Sequence, residues 1–251
     1  MSNLEGAGTP ENLALPLKVY WQPGCSSCLK TKEFIIDNGI PFESVNVLDA
    51  EAGFKELMAM GVRQVPVVAR GNVWANGAVF RDVARVAGFE YGEHKMLAPE
   101  EIKDRVLTIL DATGRYLAQI PDDKLDVVLP GRPRSYRQLV YHIFDIPKVF
   151  LDRVENGKPI TYECLKSILP PEMKTKDDLL EYGRSTRERF AAWWDREGAA
   201  TDFTQPGKVY YGDVNLHEVL ERTGWHAGQH VRQIILVLRE KLGIEPDGPL
   251  E

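Results

Sequence analysis

Val19-Tyr20-Trp21-Gln22-Pro23-Gly24-Cys25-Ser26-Ser27-Cys28 decides how the first third of the chain folds. Leu17 to Trp21 reads as a short strand, and Pro23-Gly24 breaks it. A helix is predicted from Cys25 to about Asp37, with Leu29, Phe34, Ile35 and Ile36 as its main apolar residues and Asn38-Gly39 as its stop. The cysteine pair therefore lies between a strand and a helix, with Cys25 at the helix N-terminus. Unpaired N–H groups and the helix dipole favour a thiolate there. The thiolate is the nucleophile of thiol–disulfide exchange. Cys28, one turn inside the helix, can attack a mixed disulfide at Cys25. Cys25 is expected to attack and Cys28 to resolve. The competing reading is half of a zinc or iron–sulfur site, which needs further ligands. The chain has no second cysteine pair, although two subunits could share a cluster.

Working outward, Phe42 to Val47 alternates as a strand does, and Ala52 to Met60 reads as a helix ended by Gly61. Val65 to Ala69 is a third strand with Pro66 near its start. Gly71-Asn72 turns the chain so that Val73 to Ala75 pairs back, and Val79 to Ala87 closes the unit as a helix. The order β-α-β-α-β-β-α describes a small α/β domain over residues 1–92. Gly88 to Pro99 is the linker. Beyond it, over residues 93–251, only helices are predicted: Pro99 to about Ile120, a segment capped by Ser135 and running to about Val154, Lys176 to Glu197, and Asp213 to Leu242. A loop rich in Pro and Gly, Leu129 to Pro133, separates the first two. Four amphipathic helices with one long connection read as a four-helix bundle.

Composition sets limits on partners. The 251 residues suffice for two domains, and 43% hydrophobic with 27% charged residues is ordinary for a globular chain. Net charge is −6, and neither the stretch up to Lys95 nor the remainder has an excess of basic residues, which argues against nucleic acid. No apolar run approaches the ~20 residues of a membrane span. Met1 to Pro16 lacks the features of a signal peptide, so a cytoplasmic location is expected. Three cysteines do not make a disulfide scaffold, and a close pair points to redox or metal chemistry.

Histidines form a second constellation. His226 and His230 are four apart and share one helix face, on the apolar stripe that includes Val219, Leu220, Thr223 and Ile234. His142 lies on the stripe of Leu139, Ile146 and Phe150. Three imidazoles thus point into one core from two helices. A shared divalent ion, with zinc, nickel or iron as candidates, would give each a partner. The plainer alternative is a set of core histidines satisfied by hydrogen bonds. His94 and His217 are expected to face solvent. Cys164 reads as a partly buried small residue, and Trp193-Trp194, Tyr210-Tyr211 and Trp225 as packing.

The segment Val19 to Cys28, followed by Val65-Pro66 and Asn76-Gly77-Ala78, resembles glutaredoxins in order and spacing over about residues 17–90. The resemblance implies a thioredoxin-like fold and a cis proline at Pro66 beside the dithiol. It also implies a site for glutathione, or another low-molecular-weight thiol, formed by Gln64, Val65, Pro66, Gly77 and Ala78. The chain departs from the family pattern at Gln22, where many members carry lysine. It departs again at Val79 and Phe80, where polar side chains commonly meet the γ-glutamyl end. Arg63, Gln64 and Arg81 are the candidate substitutes. Ser135 through His142, together with Thr223-Gly224-Trp225-His226-Ala227-Gly228-Gln229-His230-Val231-Arg232-Gln233-Ile234, is similar to DinB-like proteins over about residues 99–245. That resemblance implies a four-helix bundle with a three-histidine metal site, in a superfamily that includes thiol-dependent transferases. The combined expectation is a thiol-linked oxidoreductase or thiol-dependent transferase that uses a small thiol and acts on a small-molecule or protein disulfide. Two rival expectations are a plain thiol–disulfide oxidoreductase whose helical domain recruits a partner or forms a homodimer, and a metal- or redox-responsive binding protein without turnover.

Overall fold

Short strands with alternating side-chain directions build the first of two units. The computed structural model describes residues 2–49, 51–92, 96–129 and 134–248. The chain divides into Met1–Lys95 and Met96–Glu251. His94 and the Pro130 to Pro133 part of the predicted loop lie outside the described residues.

The first unit runs α1 (Pro10–Leu13), β1 (Lys18–Trp21), α2 (Ser26–Asp37), β2 (Glu43–Asn46), α3 (Glu51–Ala59), β3 (Val67–Arg70), β4 (Val73–Asn76) and α4 (Phe80–Ala87). The sheet order is β2-β1-β3-β4. The α2 crossover makes β1 and β2 parallel, while β3 is antiparallel to both β1 and β4. Successive residues of a strand face opposite sides, so each strand feeds two cores. Val19 and Val68 pack with Ile35, Val83 and Val86 on one side. Tyr20 and Val67 pack with Val45 and Leu57 on the other.

Helix α2 differs from its sequence expectation. It buries Ser26, Cys28, Thr31 and Ile35, while Leu29 and Ile36 are 48% and 60% exposed. The 28-31-35 spacing defines one face, and Leu29 and Ile36, seven apart, share the face beside it. Phe34 stacks on Phe80 with ring centroids 4.5 Å apart. Helix α1 has no counterpart among the elements expected from the sequence. It is four residues long, capped by Thr9 with Pro10 in its first turn, and carries no apolar period.

The second unit consists of α5 (Pro99–Gln119), α6 (Tyr136–Asn156), α7 (Lys176–Arg196) and α8 (Leu216–Leu236), extended by a π-helical turn over Val237–Leu242. Reciprocal capping boxes start three of them: Ser135 with Gln138, Thr175 with Asp178, and Asn215 with Glu218. The Asn215 cap sets the start of α8 at Leu216 rather than at Asp213. Helices α5 and α6 each pack on both α7 and α8, which closes a four-helix bundle. Its core contains Trp193, Phe144, Phe150, Phe190 and Leu139, all essentially without exposure. Gly183 lets α7 approach α6, because a Cβ there would lie 2.4 Å from the Phe144 ring. Gly224 and Gly228 face α5, where added Cβ atoms would meet Ile102 and Ile109 at 3.3 Å. That orientation turns His226 and His230 toward α6 instead. Among the described residues no helix is long and apolar enough to cross a membrane.

Candidate dithiol and metal sites

Cys25 is the N-cap of α2, with extended backbone. Its Sγ accepts the Cys28 backbone N–H at 3.1 Å, so the helix start itself supplies a donor to this sulfur. Cys25 and Cys28 are joined as a disulfide with Cα atoms 5.2 Å apart. Cys25 is half-buried, whereas Cys28 is 1% exposed. Of the two sulfurs, that of Cys25 is therefore the more accessible.

The Val65–Pro66 peptide bond is cis, as the resemblance implies. The Gly77 N–H donates to Pro66 O at 3.0 Å, and the Thr31 hydroxyl on α2 lies 2.8 Å from Gly77 O. Pro66 and Gly77 are thus brought together against the dithiol helix. Ala78 N–H donates to Asn76 Oδ1 at 2.9 Å, and Gln64 and Val65 are half-buried in the bend before β3. Val79 is buried and Phe80 is stacked on Phe34, so both positions serve packing. Arg63 and Arg81 are exposed. Lys32 stands 3.8 Å over the Trp21 ring, and burial holds its ammonium pKa below the usual lysine value.

A Cβ on Gly77 would lie 2.8 Å from the rigid Pro66 ring and 2.9 Å from Thr31 Oγ1. Gly77→Ala should therefore destabilise the first unit by ~1–3 kcal/mol, the usual size of an overpacking penalty. Chemical unfolding followed by a probe specific to that unit checks this; an unchanged midpoint would show that the loop yields freely.

In the bundle, His142 on α6 and His226 and His230 on α8 are all buried, and their ligand nitrogens lie within 4.8 Å of one another. The ring centroids are 4.7 to 5.2 Å apart. An ion bonded at ~2.0–2.1 Å is within reach of all three after small ring rotations. Three neutral nitrogen donors without a thiolate or carboxylate suit zinc, nickel or iron, and they leave positions open for water or substrate. The donor set therefore fits such an ion.

Contacts behind the rings were not foreseen from the sequence. His142 Nδ1 is 2.8 Å from Ser167 Oγ. Ser167 donates to Asp145 Oδ2 at 2.7 Å, and Tyr182 donates to Asp145 Oδ1 at 2.8 Å. His230 Nδ1 is 2.9 Å from Gln233 Oε1. Burial, reinforced by Asp145, pushes the Tyr182 phenol far above its usual range, so it stays a donor. Sequence spacing did hold part of this, because Asp145 and Gln233 follow His142 and His230 by three and share their faces. Ser167 lies in the α6–α7 connection and had no such signal.

His226 also lines a cavity of about 20 Å³ with Arg222, Thr223 and Tyr211, which is room for about one water. The Arg222 guanidinium stacks 4.3 Å from the Tyr211 ring and 5.2 Å from that of Trp225. Burial pushes the Tyr211 phenol up to about 12, partly opposed by Arg222. Two expectations are corrected. His217 is half-buried, with Nε2 2.8 Å from Leu97 O and its ring against Phe203, because the first turn of α8 is covered by neighbouring chain. Cys164 is exposed rather than partly buried: it opens a 3-10 turn (Cys164–Lys166) whose Leu165 takes the inward position, and its Sγ lies 3.1 Å from the Thr161 hydroxyl.

Residues 108–234 match the family model described as the DinB superfamily, and residues 17–74 match the glutaredoxin family model. No curated protein matches the chain. Among solved structures, this chain is similar to YfiT from Bacillus subtilis, described as a probable metal-dependent hydrolase with an unusual four-helix bundle topology. The match has 16% identity and a TM-score of 0.48, and covers 62% of this chain and 96% of that one.

Proposed function

We propose, on the premise that the chain belongs to the DinB superfamily and carries a glutaredoxin domain ahead of its bundle, that it is a thiol-linked enzyme of the cytoplasm. One observation carries this reading. Three buried imidazoles converge to within 4.8 Å in an apolar core, beside room for about one water. Rings brought this close from two helices offer three nitrogen donors to a single ion and leave coordination positions open for water or substrate.

His142, His226 and His230 would hold one divalent ion, which supplies Lewis acidity toward a substrate oxygen or thiolate. The dithiol supplies or removes two electrons. In the reducing direction Cys25 thiolate attacks a disulfide sulfur and expels one thiolate, forming a mixed disulfide. Cys28 then attacks Cys25 Sγ, releases the second thiol and leaves the Cys25–Cys28 disulfide. A small thiol such as glutathione, held at Gln64, Val65, Pro66, Gly77 and Ala78, would be the co-substrate that resets the pair. A second reading, thiol–disulfide exchange alone, draws its support from the Cys25–Cys28 bond. Elemental analysis of protein purified without chelator separates the two. About one ion per chain is expected, and none after metal is supplied would leave only the second reading.

A further inference from the structure

We infer that Asp145, acting through Ser167, is a positioning device that fixes His142 with its proton on Nδ1 and so presents Nε2 as the ligand atom. The inference rests on the metal reading of the three histidines and goes beyond it by assigning roles to residues outside that set.

A serine hydroxyl has one proton to donate and lone pairs with which to accept. The Ser167 proton goes to Asp145 Oδ2 at 2.7 Å. Toward His142 Nδ1, at 2.8 Å, Ser167 Oγ is then an acceptor, so Nδ1 must carry hydrogen. A neutral imidazole with Nδ1–H has its lone pair on Nε2. Tyr182 saturates the other carboxylate oxygen at 2.8 Å and stacks on Tyr141 with centroids 5.1 Å apart, which holds the carboxylate in place from α7. His230 follows the same logic more simply. Gln233 Oε1 can only accept, so His230 Nδ1 donates and Nε2 is presented. Two of the three histidines are therefore set by partners behind them to offer the same nitrogen.

Backbone geometry points the same way. Ser167 has φ +49°, ψ +63°, one of two non-glycine residues at positive φ among the described residues. Serine adopts this region uncommonly, and glycine would fit it with less strain. Ser167 is nonetheless buried, with its hydroxyl between Asp145 and His142. A strained backbone that carries a buried hydroxyl to a ligand histidine is a placement whose value lies in the hydroxyl.

Ser167→Gly tests this, because it relaxes the backbone while deleting the hydroxyl. The full chain is labelled with nitrogen-15 histidine. Ring tautomers are read by long-range NMR without metal, and zinc affinity by competition with a chromophoric chelator. In the unmodified protein His142 should show a protonated Nδ1 and a bare Nε2. In Ser167→Gly that signature should be lost or mixed, zinc should bind ~10–100-fold more weakly, and the unfolding midpoint should not fall. Asp145→Asn should go further, since its amide can donate to Ser167, turn the hydroxyl toward Nδ1 and move the ring proton to Nε2. Unchanged tautomer and affinity in Ser167→Gly would overturn the inference. If the unmodified protein shows the signature, Ser167→Gly loses it, and neither binds zinc, the metal reading fails while the positioning role stands.

Discussion

Replacing Cys25 by serine is expected to abolish reduction of a mixed disulfide between glutathione and a small thiol, leaving a rate indistinguishable from the uncatalysed one. In the proposed exchange the attacking sulfur would be the half-buried one at the N-cap of α2, which accepts the Cys28 N–H. Cys28 is 1% exposed and cannot take over the attack. Cys28→Ser should behave differently. The first attack on a glutathione mixed disulfide survives, and the intermediate at Cys25 is resolved by free thiol in solution. Activity is then retained at high thiol concentration and lost at low concentration. Alkylation of the reduced protein near neutral pH should label Cys25 first. Equal loss of activity in both variants, or preferential labelling of Cys28, would reverse the assigned roles.

The parts of the molecule legible in the sequence were those written in local patterns. The strand–turn–helix around Cys25 needs only a short apolar strand, Pro23-Gly24 and a helix period, and each is contained within about twenty residues. The convergence of His142, His226 and His230 follows from helical spacing on two stripes, because the superposition of faces in a bundle is nearly dictated by burial. What was not legible depends on distant packing. Leu29 and Ile36 look like core residues beside Ile35, yet the sheet takes only the face of Cys28, Thr31 and Ile35. Ser167 reaches His142 across a connection whose path no period encodes. Gly77 shows its purpose only when Pro66 and Thr31 stand beside it.

His226→Ala and His230→Ala should each abolish stoichiometric metal binding, while leaving Cys25 reactivity intact, because dithiol and histidines belong to separate units. Either substitution breaks the pair four apart on α8 and leaves one α8 histidine with His142, and two donors without a third form a weak site. The expected loss is therefore much larger than the one tied to Ser167, which concerns orientation rather than ligand number. Folding is the obvious confounder, since His230 is 1% exposed and its removal leaves a void beside the His142 and His226 rings. His230→Gln keeps polar bulk at that position and serves as the second variant. Thermal unfolding gives an independent readout. A ligand that binds only the folded state at 100 times its dissociation constant stabilises it by ~2.7 kcal/mol. Zinc should then raise the unfolding temperature of the bundle in the unmodified chain by several degrees and leave that of His226→Ala and His230→Gln unmoved. Equal zinc-induced shifts in all three proteins would place the ion elsewhere and return the histidines to the role of hydrogen-bonded core residues.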